Sequence, residues 1–268
     1  MERPTWAPGE VDLERPSAAR VYDYYLGGYH NLAVDREFAE QAMLAMPELP
    51  LIMRTNRAFL RRSVRYLVSQ GIRQFLDLGS GIPTVGNVHE IAQGAAPGSR
   101  VVYVDKDPVA VAHSQVMLDG NDNAAVLLAD MRDPESVLAA EPVNALLNWS
   151  EPVGVLMFAV LHFVDDYEVA QQTVRGYLDA VPTGSYLVVS HGTHETVGER
   201  GKQVERLYTR TDNPFTPRNQ AQVSRLADGL ELVEPGVVYL PSWRPDSPEE
   251  VEDHPERSST YAMVARKV

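Results

Sequence analysis

The fold is decided by residues 75–84, which read Phe75-Leu76-Asp77-Leu78-Gly79-Ser80-Gly81-Ile82-Pro83-Thr84. The first four residues predict a short buried strand, and the apolar spacing of Val85, Val88, Ile91 and Ala92 predicts an amphipathic helix after the turn. Glycine tolerates positive φ and has no Cβ, so a ligand can approach the backbone closely at such a turn. The amides at the start of the following helix would favour an anionic group such as a carboxylate.

Two ligand classes use a strand, glycine turn and helix. A dinucleotide site has a third glycine, which closes Gly-x-Gly-x-x-Gly, whereas this chain has Thr84 there. Asp77, two residues before the first glycine, would repel a pyrophosphate and attract an ammonium group. A ligand with both an ammonium and a carboxylate fits better, as in the methionine part of S-adenosylmethionine, and Asp-x-Gly-x-Gly is typical of class I methyltransferases. A turn that binds no ligand is the plainest alternative.

Composition narrows the class of protein. The chain has 268 residues, a formal net charge of −13 and a pI near 5.0, which argues against nucleic acid or an anionic membrane as a general partner. Cysteine is absent, which excludes disulfides and cysteine metal sites. The longest apolar run, Val153 to Leu161, is far shorter than the roughly 20 residues that span a bilayer. With no signal-peptide pattern at the N-terminus, we expect a cytoplasmic protein.

The N-terminal quarter is predicted to be helical. After a proline-containing arm, a helix runs from Ser17 to about Leu26 and stops at two glycines, and further helices are expected over 34–46 and 50–70. Tyr22, Tyr25 and Tyr29 fall at i, i+3 and i+7 in this stretch of the chain. These rings either pack permanently on the body of the domain or belong to a lid that lines a substrate pocket. The expected division is an arm and helical cap over 1–70 and a cofactor-binding domain over 71–268.

The next two strands end in acidic residues. Asp105 follows the strand 100–104 and lies 24 residues beyond Gly81, where a carboxylate can accept from both ribose hydroxyls. The alternative role of Asp105, a helix N-cap, is better served by Asp107. After the strand 124–128, Asp130 is expected at the exocyclic amine of adenine and Met131 against its ring, although Asp130 could equally be a solvated loop residue.

The remaining pattern completes the fold. A continuously apolar fourth strand over 153–161 precedes His162, and a fifth over 186–190 precedes His191, so both histidines lie at the ligand edge, where either a structural or a general-base role is open. A helix over 217–227, an interrupted strand over 230–240 and an acidic loop lead to a last strand, 261–265. A loop can join antiparallel neighbours but not parallel ones. We therefore predict an α/β, Rossmann-like class I methyltransferase fold, with a seven-stranded, mostly parallel sheet, an antiparallel last strand and an N-terminal helical cap.

The chain resembles a bacterial family of inferred S-adenosylmethionine-dependent methyltransferases that was formerly known only as a domain of unknown function. The resemblance rests on Arg-Val-Tyr-Asp-Tyr-Tyr-Leu-Gly-Gly over 20–28, the glycine stretch 75–84, Val-Asp-Lys-Asp-Pro over 104–108 and Val-Leu-His-Phe over 160–163. It covers nearly the whole chain and implies the fold and the cofactor S-adenosylmethionine, but no acceptor. Pro83 stands where the broader class often has a third glycine.

A methyltransferase that acts on a small molecule is therefore expected first. A non-catalytic protein that binds S-adenosylmethionine or S-adenosylhomocysteine is the second reading, and a nicotinamide enzyme, which Asp77 disfavours, is the third. No metal site is expected, and the oligomeric state does not follow from the sequence. The residues expected in the site are Asp77, Gly79, Ser80, Gly81, Asp105, Lys106, Asp130 and Met131 for the cofactor, Tyr22, Tyr25, Tyr29 and His30 for the substrate, and His191 or His162 for a general base.

Overall fold

The structure is a computed structural model that describes residues 9, 11–84, 86–209, 211, 213–247 and 253–268. Val85, most of the predicted N-terminal arm and most acids of the predicted loop, namely Glu249, Glu250 and Glu252, lie outside the described residues. The helices are α1 (Ala18–Tyr25), α2 (Ala33–Ala45), α3 (Leu49–Ser69), α4 (Val88–Ala95), α5 (Pro108–Met117), α6 (Pro134–Ala139), α7 (Glu141–Leu146), α8 (Tyr167–Ala180), α9 (Gly198–Tyr208) and α10 (Gln220–Arg225). The strands are β1 (Gln74–Leu78), β2 (Arg100–Asp105), β3 (Ala124–Leu128), β4 (Gly154–Phe158), β5 (Tyr186–Gly192), β6 (Glu231–Leu232), β7 (Val238–Tyr239) and β8 (Thr260–Arg266).

The strands form one mixed sheet in the order β3-β2-β1-β4-β5-β8-β6, with β7 also paired to β8. The first five strands are parallel, and β8 lies antiparallel to β5, β6 and β7. The strand order reverses between β1 and β4, which is where open α/β sheets bind ligands, outside the carboxyl ends of the strands. The predicted sheet, mostly parallel with an antiparallel end, is confirmed.

Alternation along the strands divides the core between two faces of the sheet. On one face, side chains such as Leu76, Val104 and Met157 pack with the helices α7 and α8. On the other face, Phe75 and Leu156 pack with helices α3 and α4 and with a fully buried tryptophan, Trp243. Each large apolar side chain buried in this way stabilises the fold by about 1.5–3 kcal/mol. Helices on both faces leave the edge at the strand carboxyl ends free for a site.

Several element boundaries differ from the sequence prediction. The fourth strand ends at Phe158, and residues 161–163 form a 3₁₀ turn. The predicted strand over 230–240 is two short strands, β6 and β7, around the interruption. In the part of the chain that the structure describes, the sheet therefore has eight strands, where seven were predicted. Helix α4 begins at Val88 instead of directly after the glycines, and α7 and α9 were not predicted.

The N-terminal helices form their own apolar cluster over the sheet edge. Val21 and Tyr25 of α1 pack with Phe38 of α2 and with Val204 and Tyr208 of α9. Within the described part of the chain, no helix has the length and apolar character needed to cross a membrane.

Candidate functional site

A cavity of about 520 Å³ opens at the carboxyl ends of β1, β2, β4 and β5. This volume lies in the roughly 300–1,000 Å³ range of pockets that enclose small molecules. The glycine turn after β1 and the loop after β2 form one half of the cavity. The other half lies between the N-terminal helices and α9 and carries mainly apolar and aromatic side chains.

The glycine turn has the geometry that its sequence predicts. Gly79 has φ 73° and Gly81 has φ 68°, a region that side chains with a Cβ rarely adopt. A Cβ on Gly79 would lie 2.2 Å from Cγ2 of Val160, so the close packing of the two loops also requires glycine there. The Gly79 amide donates to the carbonyl of Val104 at 2.8 Å, which ties the turn to β2.

Asp77 is a buried carboxylate that faces this cavity. It is 5% exposed and accepts no hydrogen bond from the described residues. Burial raises its pKa to about 7, the guanidinium of Arg57 opposes the rise, and the charge of Asp105 adds to it. An unpartnered buried carboxylate is costly in the free protein. The arrangement therefore suits a ligand that brings a cation to Asp77.

Asp105 is held at the tip of β2 by two backbone amides. The Gly81 amide donates to Oδ2 at 2.7 Å, and the Asp107 amide donates to Oδ1 at 2.8 Å. Burial raises the pKa of Asp105 to about 6, although these two hydrogen bonds lower it. A carboxylate offers about four acceptor positions, so two remain for hydroxyl groups in the cavity.

The helix-start anion site predicted after the glycines is corrected by the structure. The Asn87 amide donates to the carboxylate of Glu90 at 2.7 Å, and the His89 amide donates to the Tyr103 hydroxyl at 2.8 Å. These amides are already satisfied at the start of α4, so they are not open to a carboxylate. Arg57 of α3 lines the cavity instead. The sequence does not single out Arg57, because it is one of several arginines on α3, a pattern typical of a solvated helix face.

The four other predicted cofactor residues, Ser80, Lys106, Asp130 and Met131, line the same half of the cavity. Arg132 donates to both carboxylate oxygens of Asp130, each bond from Nε being 3.0 Å. Burial alone would raise the pKa of Asp130, but the hydrogen bonds from Arg132 hold it below its ordinary value. Met131 is buried, and Lys106 is exposed and donates from Nζ to the Asn213 side chain.

The predicted substrate residues separate into two pairs. Tyr22 and Tyr25 line the cavity. Tyr29 is 87% exposed and His30 stacks on His113 with ring centroids 3.7 Å apart, and both lie outside the cavity. The reason is that α1 ends at Tyr25, so the i+7 position no longer shares its helical face. The prediction for Tyr29 and His30 is therefore corrected.

The two predicted general-base histidines also differ. His191 is fully buried behind the cavity, where Nδ1 donates to the Gly192 carbonyl at 2.9 Å and Nε2 accepts from Arg218 at 2.9 Å. Burial and the Arg218 charge lower its pKa to about 3. With both nitrogens occupied, His191 supports the loop and has no free base. Its prediction as a catalytic residue is corrected.

His162 does line the cavity. Its Nδ1 accepts from the Gly192 amide at 3.2 Å, so the neutral ring carries its proton on Nε2. Burial, with the nearby His191 and Arg218, lowers its pKa well below the ordinary value. Nε2 has no partner among the described residues. His162 therefore presents a hydrogen-bond donor to the cavity, not a base.

Further cavity residues escaped the sequence reasoning. Asn56 of α3 is 3% exposed and donates to the Tyr22 hydroxyl at 3.0 Å, while its Oδ1 has no hydrogen-bond partner among the described residues. The hydroxyl of Ser80, which is one of the predicted cofactor residues, is likewise buried without a partner in that part of the chain. Tyr208 of α9 and Phe215 close the far wall. Helix α9 reaches the cavity through tertiary packing, and no local sequence motif predicts this position.

No cluster of three or more histidine, cysteine, aspartate or glutamate side chains suited to a metal ion occurs among the residues that the structure describes.

Comparison with known proteins gives the family. The family model described as S-adenosyl methyltransferase matches residues 4–268. The chain belongs to this S-adenosyl methyltransferase family. A protein of the DUF574 family from Streptomyces avermitilis MA-4680 is 41% identical, with a TM-score of 0.92 over 96% of this chain and 99% of its own. An inferred methyltransferase from Thermobifida fusca YX is 38% identical, with a TM-score of 0.92 over 98% and 99% of the two chains.

A more distant structure shares the fold. The N-methyltransferase NodS from Bradyrhizobium japonicum WM9, in complex with S-adenosylhomocysteine, is 14% identical, with a TM-score of 0.51 over 92% of this chain and 98% of its own. The sheet of this S-adenosyl methyltransferase family member is therefore Rossmann-like. The chain has no match among curated proteins.

Proposed function

We propose that the protein transfers a methyl group from S-adenosylmethionine to a small-molecule acceptor. The observation that carries the proposal is Asp77, a buried carboxylate in the cavity with no hydrogen bond from the described residues. A cationic amino acid end beside Asp77 would replace the favourable interactions with water that the carboxylate loses on burial. Residues 1–70 serve as the cap in this proposal and residues 71–268 as the cofactor-binding domain.

The described residues fit the cofactor at each of its parts. Asp105 keeps two acceptor positions for the ribose hydroxyls, and Gly79 and Gly81 leave room for the chain that joins ribose to the amino acid. Arg57 is assigned to the methionine carboxylate, because it lines the cavity and its positive charge acts on Asp77. The orphaned Asn56 Oδ1 and Ser80 hydroxyl supply further polar partners.

The adenine end is assigned to the loop after β3. Met131 offers an apolar surface for the ring. The Asp130 carboxylate is held in place by Arg132 and accepts from the exocyclic amine. Lys106 flanks this pocket from the loop after β2.

The bound cofactor supplies a methyl group on a positively charged sulfur. The protein positions the reactants and excludes water from them. Holding two reactants at near-attack distance removes several kcal/mol of the barrier. Tyr22 and Tyr25 of α1 line the cavity and are assigned to the acceptor. The apolar half, with Phe163, Tyr208 and Phe215 on its walls, offers an acceptor a place beside the cofactor and favours an enzyme over the non-catalytic alternative.

Calorimetry tests the cofactor assignment. S-adenosylmethionine and S-adenosylhomocysteine should bind, NAD should not, and Asp77→Asn should weaken binding of both sulfur ligands at least tenfold. Tight binding of NAD with none of S-adenosylmethionine would overturn the proposal. Asp119→Ala, a change at an exposed aspartate away from the cavity, is the control and should bind as the unaltered protein does.

A further inference from the structure

The apolar half of the cavity contains a histidine that the sequence reasoning did not single out. His194 lies on the cavity wall two residues beyond Gly192, the residue that fixes the His162 ring. Its Nδ1 is buried and lies 3.4 Å from Oε2 of Glu205 on α9, while 43% of the side chain remains exposed. The accessible part of the ring is therefore the edge that carries Nε2.

The surroundings of the His194 ring decide which of its two nitrogens carries the proton. A carboxylate beside Nδ1 favours the tautomer with the proton on Nδ1, which leaves a lone pair on Nε2. No described residue forms a hydrogen bond with that Nε2. Nδ1 forms no hydrogen bond with a described residue in this structure, and its contact with Glu205 at 3.4 Å is an ion-pair distance. Such contacts commonly tighten when the reactants are bound. His194 and His162 thus offer opposite functions to one cavity, an acceptor and a donor.

The other titratable groups of this half cannot take a proton. Burial raises the pKa of both Tyr25 and Tyr208, so both phenols stay protonated. Asp77 and Asp105 lie in the polar half, near the end of β1 and at the tip of β2. Among the described residues that line the apolar half, His194 is therefore the group suited to act as a base.

The other charged residues near His194 are paired elsewhere, and Glu205 is the carboxylate that lies beside its ring. Glu195, next in sequence, accepts from the Tyr261 hydroxyl at 2.7 Å and the Gln220 amide at 3.1 Å. On α9, Lys202 pairs with Glu199 at 2.8 Å. His162, across the cavity, is neutral. Glu205 is therefore positioned to stabilise the imidazolium that forms when His194 takes a proton.

The shape and lining of this half define the acceptor. Its walls are aromatic and aliphatic, with Phe163, Tyr208, Phe215, Ile52 and Met53 around the space. Such walls favour a flat, uncharged ring system, and the pairing of a base with a donor favours a weakly acidic hydroxyl on that ring.

We propose that the acceptor is an uncharged aromatic molecule with a phenolic hydroxyl, and that His194, oriented by Glu205, is the general base for its O-methylation. This inference rests on the proposed function. The O–H bond breaks as its proton moves to Nε2 of His194, and the oxygen lone pair forms the new bond to the methyl carbon. The electron pair of the breaking C–S bond stays on sulfur. The products are an aryl methyl ether, neutral S-adenosylhomocysteine and a protonated His194, which returns its proton to solvent.

The test compares phenols of graded acidity with the full-length protein and S-adenosylmethionine. The probes are 2-naphthol, whose hydroxyl is largely protonated at neutral pH, 4-nitrophenol, which ionises near neutral pH, and aniline as the nitrogen counterpart. Mass spectrometry measures the methylated products. General-base catalysis contributes about 10²–10⁴-fold, so His194→Gln should lower kcat/KM for 2-naphthol at least 100-fold. The loss for 4-nitrophenol should be below about threefold, because that probe needs no base.

Glu205 is tested as a positioning residue. Glu205→Gln should lower the rate with 2-naphthol about tenfold and move the acid limb of the pH profile, an effect that a purely structural role would not produce. The matched control is His254→Gln, since His254 pairs with Glu256 at 3.1 Å but is exposed and lies outside the cavity. This variant should keep the full rate. Binding of 2-naphthol to protein saturated with S-adenosylhomocysteine should be unchanged in His194→Gln.

The outcomes separate the two proposals. Absence of S-adenosylmethionine binding in calorimetry would overturn the proposed function. Normal binding of S-adenosylmethionine with no methylation of either phenol would overturn this inference alone. Methylation of aniline only, or an equal effect of His194→Gln on 2-naphthol and 4-nitrophenol, would also overturn it.

Discussion

The hydroxyl of Ser17, just before α1, donates a hydrogen bond to the carboxylate of Asp107, which caps the helix α5. Residues 90 positions apart in the chain are thus joined at the rim of the cavity. The same end of α1 is held by Asp35, a fully buried carboxylate that accepts from the Ser17 amide at 2.9 Å and from Nε of Arg20 at 2.7 Å. These buried contacts describe a fixed brace at the start of the cap.

Hydrogen exchange distinguishes this brace from a mobile lid. Residues 18–25 should be equally protected with and without S-adenosylhomocysteine, because their anchors do not involve the ligand. Ser17→Ala removes a hydrogen bond to a charged group, worth roughly 1.5–3 kcal/mol, and should make that protection depend on the ligand. Ser69→Ala, at the exposed end of α3, is the control. A gain of protection on binding in the unaltered protein would restore the lid.

Asp77→Asn should stabilise the ligand-free protein above neutral pH. The pKa of Asp77 is about 7 in the folded chain and about 3.9 in an unfolded one. Folding raises the pKa of Asp77, so the contribution of this residue to stability is greatest at low pH. That contribution is lost as the pH rises through about 7. The difference corresponds to roughly 4 kcal/mol at high pH. Thermal unfolding should therefore show a higher Tm for Asp77→Asn at pH 8 and similar values at pH 4. Equal Tm values at pH 8 would contradict the burial of this charge.

Asp105→Ala should weaken cofactor binding at least tenfold and leave the fold intact. The change removes the acceptors assigned to ribose and those of the Gly81 and Asp107 amides, and each hydrogen bond to a charged group contributes about 1.5–3 kcal/mol. Calorimetry measures the affinity and circular dichroism the fold, with Asp119→Ala again as the exposed control. An affinity within twofold of the unaltered protein would place the ribose elsewhere.

Gly28→Ala and Gly94→Ala should have opposite effects on stability. A Cβ on Gly28 would lie 2.0 Å from Oδ1 of Asp23, a buried carboxylate that also accepts from the His30 amide at 2.9 Å. Overpacking of this kind costs about 1–3 kcal/mol. Gly94 lies in α4 with no atom near its missing Cβ, where alanine should add up to about 1 kcal/mol. Urea unfolding measures both, and a neutral Gly28→Ala would show that Asp23 can move.

The parts of the fold that could be predicted are those written in local patterns. A buried strand, two glycines and an acid at a fixed distance place Asp77, Gly79 and Asp105 around one cleft, because parallel strands end at the same edge of a sheet. The antiparallel end of the sheet followed from a connection that the sequence predicts to be a loop and not a crossover helix. These inferences need only the periodicity and spacing of the chain.

The apolar half of the site could not be predicted, because its chemistry depends on distant partners. Helix α9 has few apolar residues, and Val204 and Tyr208 become a wall only when they meet α2. The sequence places His162, His191 and His194 alike at strand ends. Their surroundings differ, because Nδ1 of His162 accepts from the Gly192 amide, Nε2 of His191 accepts from Arg218, and Nδ1 of His194 lies beside Glu205.

The packing of the cap on α9 also sets an order of events during synthesis. The chain leaves the ribosome N-terminus first, so α1 and α2 emerge about 180 residues before Tyr208, the residue of α9 that covers Tyr25 and Phe38. At about 5–20 residues per second this interval is roughly 10–40 s. Throughout that time the apolar faces of the first two helices have no native partner on α9. The segment made first is therefore among the last to reach its final place.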